Sequence, residues 1–115
     1  MRVSVGDVFI VNLSGAIGSE QGNTRPCIII QNDVGNVFST TTIVLPITSA
    51  VGKKSKVITH YYIEASEENG LSKDGLVLCE QIRTVDKQRL HKKIGKISEE
   101  DLEHIKKCVK NSIVL

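Results

Sequence analysis

Gly18-Ser19-Glu20-Gln21-Gly22-Asn23-Thr24-Arg25-Pro26 runs directly into Cys27-Ile28-Ile29-Ile30. Glycines and polar side chains make the first part a flexible loop. Pro26 fixes its own φ and drives Arg25 into an extended backbone. The apolar run that follows shows no polar alternation, so it reads as a β-strand covered on both faces, Cys27 to Gln31. Arg25 is then a permanently charged, planar fork at the start of a stiff strand, suited to a carboxylate or a phosphate. A plainer role, a surface residue in an ion pair, fits the same position.

Working outward, Val8 to Leu13 is apolar on both alternating sets, with Val8 and Ile10 on one side and Phe9, Val11 and Leu13 on the other. Asn32-Asp33 and Gly35-Asn36 read as turns. Thr41 to Leu45 is a β-branched strand that should end at Pro46, which cannot donate to a ladder. Ile47-Thr48-Ser49 then places two hydroxyls where regular pairing is expected to fail. Val57 to Ile63 makes a fourth strand, Leu76 to Thr84 a fifth bent near Glu80, and Ile94 to Ile97 a short last one. After Ser98, an N-cap with Asp101 three residues on, the period changes. Leu102, Ile105 and Val109 form one apolar stripe, with acids in the first turn and lysines in the last. The fold class expected is mainly β with a C-terminal helix, a small SH3-like β-barrel whose open side the helix covers. Strands buried on both faces with one helix to cover them call for further cover, either by self-association, most simply a symmetric homodimer, or by a barrel interior large enough to absorb both sets.

A chain of 115 residues suits one domain spanning 1–115. Aromatic content of 3% makes recognition by base stacking a poor fit, so a nucleic acid would be held by polar and cationic groups. Positive charges bunch at Lys53, Lys54 and Lys56 and again from Lys87 to Lys96. These read either as solvated loops or as a phosphate-binding surface. Cys27, Cys79 and Cys108 are too widely spaced for a zinc or disulfide framework and read as buried hydrophobes in a reducing cytosol. With no signal-peptide core and no membrane-length apolar run, the expected location is cytoplasmic, with no membrane partner.

Several ordered motifs together resemble the MazF/PemK-type toxins of bacterial toxin–antitoxin pairs. They are Gly6-Asp7-Val8, the loop Gly18 to Gly22 with Arg25-Pro26, Gln31-Asn32-Asp33, Pro46-Ile47-Thr48-Ser49, and Glu80-Gln81-Ile82-Arg83-Thr84-Val85-Asp86-Lys87. The resemblance implies the MazF/CcdB-type barrel, a homodimer and a sequence-specific, metal-independent and ribosome-independent endoribonuclease acting on single-stranded RNA, with no cofactor and no DNA substrate. It also implies a cognate antitoxin with an acidic, extended tail. By matching positions, Arg25 and Thr48 would be the catalytic pair. Ser19, Glu20 and Gln21 would lie above them, and Ser49, Lys53 and Lys54 would complete the substrate-binding set. Asn12, Gly15 and Ile58 depart from residues common in such relatives, and the last bears on which bases are accepted. A non-catalytic toxin of the same fold, a gyrase poison of the CcdB kind, and a plain SH3-like adaptor are the alternatives from other classes.

Metal-free RNA cleavage uses the substrate's own 2′-hydroxyl as nucleophile, so the protein need supply proton transfer and charge stabilisation. Arg25 meets the charge requirement and Thr48 offers a hydroxyl with few rotamers. Glu20 is the carboxylate of the loop, able either to take the 2′ proton or to cap loop amides. Among the histidines His60 is best placed, with nothing in the sequence to bring it to His91 or His104.

Overall fold

The computed structural model describes residues 1–49 and 57–114. Its strands are β1 (Asp7–Asn12), β2 (Thr24–Ile29), β3 (Thr41–Ser49), β4 (His60–Ile63), β5 (Gly75–Leu78), β6 (Arg83–Asp86) and β7 (Leu90–Lys96). Two helices, α1 (Asp33–Phe38) and α2 (Glu99–Ser112), complete the secondary structure with two short 3₁₀ turns, Cys79–Gln81 and Lys87–Arg89. The sheet runs β4-β5-β3-β2-β1-β7, with β6 pairing β3 off that path. Among the described residues its end strands, β4 and β7, do not pair with each other, so the barrel is open, as expected, and the fold is antiparallel β with a C-terminal helix.

Alternation along the central strands builds two cores. Val8, Ile28, Leu45, Ile47 and Val77 point to one side, where Ile105 of α2 seals them. Phe9, Val11, Cys27, Ile29 and Val44 point to the other, where Val85 and Leu90 of the same chain close over them. Both faces of β1 to β3 are thus covered within one chain, and the remaining apolar surface lies elsewhere. Val34, Val37 and Phe38 on α1 are 72%, 70% and 85% exposed. Burial pushes the Cys27 thiol up to about 12, against the pull of Arg25 and Arg83 beside it.

Several expectations change, and the fourth strand is shorter than Val57 to Ile63, beginning at His60 after a turn at Ile58 and Thr59. Pro46 does not end β3, because the strand changes partners there: Val44 to Pro46 pair with β2 and Ile47 to Ser49 with β5. A residue with no N–H is tolerated at that switch, and pairing therefore continues through Thr48 and Ser49. The turn expected around Asn32 and Gly35 is the helix α1, whose N-cap Asn32 accepts from the Gly35 N–H at 2.9 Å. Buried Asn36 secures it, donating to the Gln31 carbonyl at 2.9 Å and accepting from the Thr42 hydroxyl at 2.8 Å. The fifth strand is two, β5 and β6, divided by the 3₁₀ turn at Glu80. Finally, β7 begins at Leu90; its exposed Lys92 and Lys93 suit a sheet edge and hide the apolar pattern. In α2, Ser98 accepts from the Asp101 N–H at 3.1 Å, the cap read from the sequence. No helix among the described residues is long and apolar enough to cross a membrane.

Candidate active site

The loop between β1 and β2 overhangs one end of the second core. β2 pairs with β3 as far as Cys27 and Pro46, where β3 leaves for β5. Arg25 lies two residues beyond that last pair on β2, where it pairs with Val11, and Thr48 two residues beyond it on β3, where it pairs with Leu76. By alternation with Cys27 and Ile29, Arg25 is on the side of the second core.

On that side lies a cleft of about 430 Å³ floored by Leu13, Val44 and Pro46. Glu20 and Gln21 form one wall, and the segment from Glu80 to Arg83 forms the other. Thr48 and Ser49 open onto a smaller hollow of about 150 Å³, with Pro26 and Lys73. Lys53 and Lys54, with Lys56, fall outside the described residues.

The loop is fastened rather than loose. Glu20 accepts from the Ile17 N–H at 2.7 Å, so its carboxylate caps a loop amide. Asn23 adopts a left-handed φ of 62° and its carbonyl accepts from the Leu13 N–H at 2.9 Å, closing the loop's neck. Arg25 donates Nε–H to the Gly22 carbonyl at 2.9 Å, which aims the guanidinium. Gln81, from the 3₁₀ turn across the cleft, accepts from the Gln21 N–H at 3.3 Å and donates to the Ser19 carbonyl at 3.4 Å.

Three residues of this site were not in the sequence-based set. Gln81 clasps the loop. Arg83 donates to the carbonyls of Leu13 and Ser14 at 3.2 and 3.4 Å, and Arg89 to those of Asn12 and Ser14 at 3.0 and 3.2 Å. For Gln81 and Arg83 the signal was the run Glu80 to Lys87, already conspicuous, but its contacts with the loop join positions 60 to 70 residues apart; Arg89 lies outside that run. Among the histidines, His60 pairs with Glu80 at 3.1 Å and so reaches the cleft's rim. Meanwhile α2 lays His104 against the Tyr61 ring with centroids 5.7 Å apart.

The model of the PemK-like, MazF-like toxins of type II toxin–antitoxin systems matches residues 4–113. The chain belongs to this family. It is 44% identical over 115 residues to "Endoribonuclease EndoA" of Bacillus subtilis, covering 100% of this chain and 97% of that protein. It is also 44% identical over 110 residues to "Endoribonuclease MazF" of Staphylococcus saprophyticus, covering 96% and 90%. Solved structures of the MazF-like fold superpose on it. MazF from Deinococcus radiodurans does so with a TM-score of 0.81 at 18% identity, covering 96% of each chain. A mycobacterial endoribonuclease crystallised with its cognate antitoxin gives 0.77 at 17%, covering 96% of this chain and 93% of that one.

Replacing Gln81 in this MazF-like chain with Leu keeps the side chain's bulk but removes both bonds to the loop. Each is worth about 1 kcal/mol at most at these lengths. Amide exchange at Gln21 is expected to quicken about fivefold, read by hydrogen-exchange mass spectrometry. Unchanged exchange would show that the loop holds itself.

Proposed function

We propose that this chain is a toxin endoribonuclease that cuts single-stranded RNA at specific sequences, needs neither a metal nor the ribosome, and is neutralised by a cognate antitoxin. Its relatives at 44% identity are named endoribonucleases, and a structural neighbour carries its antitoxin. The observation that carries the reading is Arg25, aimed by its bond to the Gly22 carbonyl under a loop whose Glu20 and Gln21 wall a polar cleft. In this reading the substrate's 2′-oxygen bonds to phosphorus as the bond to the 5′-oxygen breaks. The 2′-hydroxyl loses a proton, the leaving oxygen gains one, and no water is consumed. Arg25 stabilises the charge gathering on the phosphoryl oxygens, and Thr48 fixes one of them. Glu20 keeps the loop in place over the RNA, whose unpaired bases face Ser19, Gln21 and Ser49. DNA lacks the nucleophile and is not cut.

The antitoxin's acidic, extended tail competes for the same cleft, where the arginines attract it. A homodimer belongs to this reading, and Val34, Val37 and Phe38 give it apolar surface to bury. A gyrase poison of the same fold has no need to keep Arg25 and Thr48.

The test is purified protein with single-stranded RNA in excess chelator. Fragments ending in 2′,3′-cyclic phosphate and beginning with 5′-hydroxyl are expected, and sequencing the ends gives the recognised bases. Dependence on added metal, or 3′-hydroxyl ends, would contradict the chemistry.

A further inference from the structure

Three arginines from separate elements gather where β1 ends: Arg25 of β2, Arg83 of β6 and Arg89 of the 3₁₀ turn after it. Arg25 pairs in register with Val11, one residue before the Asn12 carbonyl that Arg89 holds. Arg83 and Arg89 donate to the same carbonyl, that of Ser14, at 3.4 and 3.2 Å. Two guanidiniums sharing one acceptor repel each other, and a neutral carbonyl offsets that only in part. Among the described residues no carboxylate pairs with Arg25, Arg83 or Arg89; the ion pairs there belong to His60, Lys93, Lys96 and Lys106. All three side chains are half-buried, and Arg83 lines the cleft wall. Cationic forks brought together, aimed by backbone bonds and left without acids are arranged for an anion with several oxygens.

We infer that Arg83 and Arg89 form a second phosphate subsite, which holds the phosphodiester next to the one that Arg25 and Thr48 act on. It rests on the ribonuclease reading and adds to it how the strand is threaded. The RNA backbone crosses the end of β1, and the cleft between loop and 3₁₀ turn is left for the bases. The subsite binds and positions; it takes no part in bond making.

The experiment uses the recognised sequence made with a 2′-deoxy sugar at the scissile position, so that binding is measured without cleavage. For the full-length protein, Arg83→Gln and Arg89→Gln are each expected to weaken binding about tenfold near 0.1 M salt. Each should also lower the slope of log Kd against log salt by about 0.7. On cleavable RNA, KM should rise while kcat holds within about twofold.

A second arm needs no variant to fold: the parent protein is given oligonucleotides carrying a neutral methylphosphonate at each phosphate in turn. One position flanking the scissile phosphate should weaken parent binding about tenfold and have no effect on Arg89→Gln. Parent binding that ignores methylphosphonates at both flanks overturns the subsite, as does a kcat loss with unchanged KM and salt slope. A parent that neither binds nor cuts RNA overturns the ribonuclease reading itself, which separates the two failures.

Discussion

Arg25→Ala is expected to lower RNA cleavage by roughly a hundredfold or more while leaving the folded chain nearly as stable, because the lost group acts on charge that exists only in the transition state. The guanidinium's structural work is one bond, Nε–H to the Gly22 carbonyl, at a half-buried position. Losing it should cost about 1 kcal/mol of stability. Rate and stability therefore separate cleanly. Arg25→Lys is expected to recover little of the rate, since an ammonium restores the charge but not two aligned donors. Thr48→Ala should behave likewise, with a smaller loss, because a neutral hydroxyl is a weaker donor than a guanidinium. The measurement is single-turnover cleavage of a defined RNA alongside a thermal melt. Parent-like rates from either variant would remove that residue from the chemistry, and loss of rate together with collapse of the melt would mean that its role is structural.

Gly70→Ala is expected to remove a large share of the fold's stability, and for an unrelated reason. Gly70 holds a φ of +73°, and a Cβ there would stand 1.9 Å from the Ile94 carbonyl oxygen and 2.6 Å from its carbon. The obstruction is backbone of β7, which cannot swing aside as a side chain can. The turn is also bonded on both sides: Gly70 N–H to the Ser66 carbonyl at 3.0 Å and Lys96 N–H to the Glu68 carbonyl at 2.9 Å. Left-handed strain costs roughly 1 kcal/mol for an L-residue, and separating the two backbones adds more. A total of about 3 kcal/mol should lower the melting temperature by roughly 10 °C or more. A melt within a degree or two of the parent would show that the turn can peel from β7 at little cost. This part of β7 pairs with the start of β1, Asp7 and Val8, at the end away from the Asn12 to Ser14 carbonyls that Arg83 and Arg89 hold.

Much of the fold could be read from local chemistry. Val8 to Leu13 and Cys27 to Gln31 carry apolar residues on both alternating sets, and burial on both faces follows whatever the topology. Ser98, the acids behind it and the stripe Leu102, Ile105, Val109 specify α2 within one stretch. Misreadings fell where a residue's meaning depended on a distant strand. Pro46 reads as a stop until β5 arrives to take over from β2. Asn36 reads as a turn residue until Thr42 and Gln31 enclose it. Lys92 and Lys93 mask β7 because an edge strand needs little apolar surface.

The candidate site divides in the same way. Loop composition and the step from Arg25 to Pro26 mark a cation at a strand's start, and the family motifs point to Thr48. Gln81 and Arg83 stood in a motif but carried no assigned role and Arg89 stood outside it, because a glutamine or an arginine is unremarkable until its partner is known, and these partners are backbone carbonyls and an amide far along the chain. By itself, then, the order of side chains determined which segments are strands, where the helix α2 begins and which residues could carry charge to a phosphate. Tertiary structure alone decided that β2 and β3 lie side by side as far as Cys27 and Pro46, and that Arg83 and Arg89 meet at the Ser14 carbonyl. Periodicity and capping act between near neighbours and are written in sequence spacing. Strand register and shared acceptors arise from packing across dozens of residues, which no local pattern encodes.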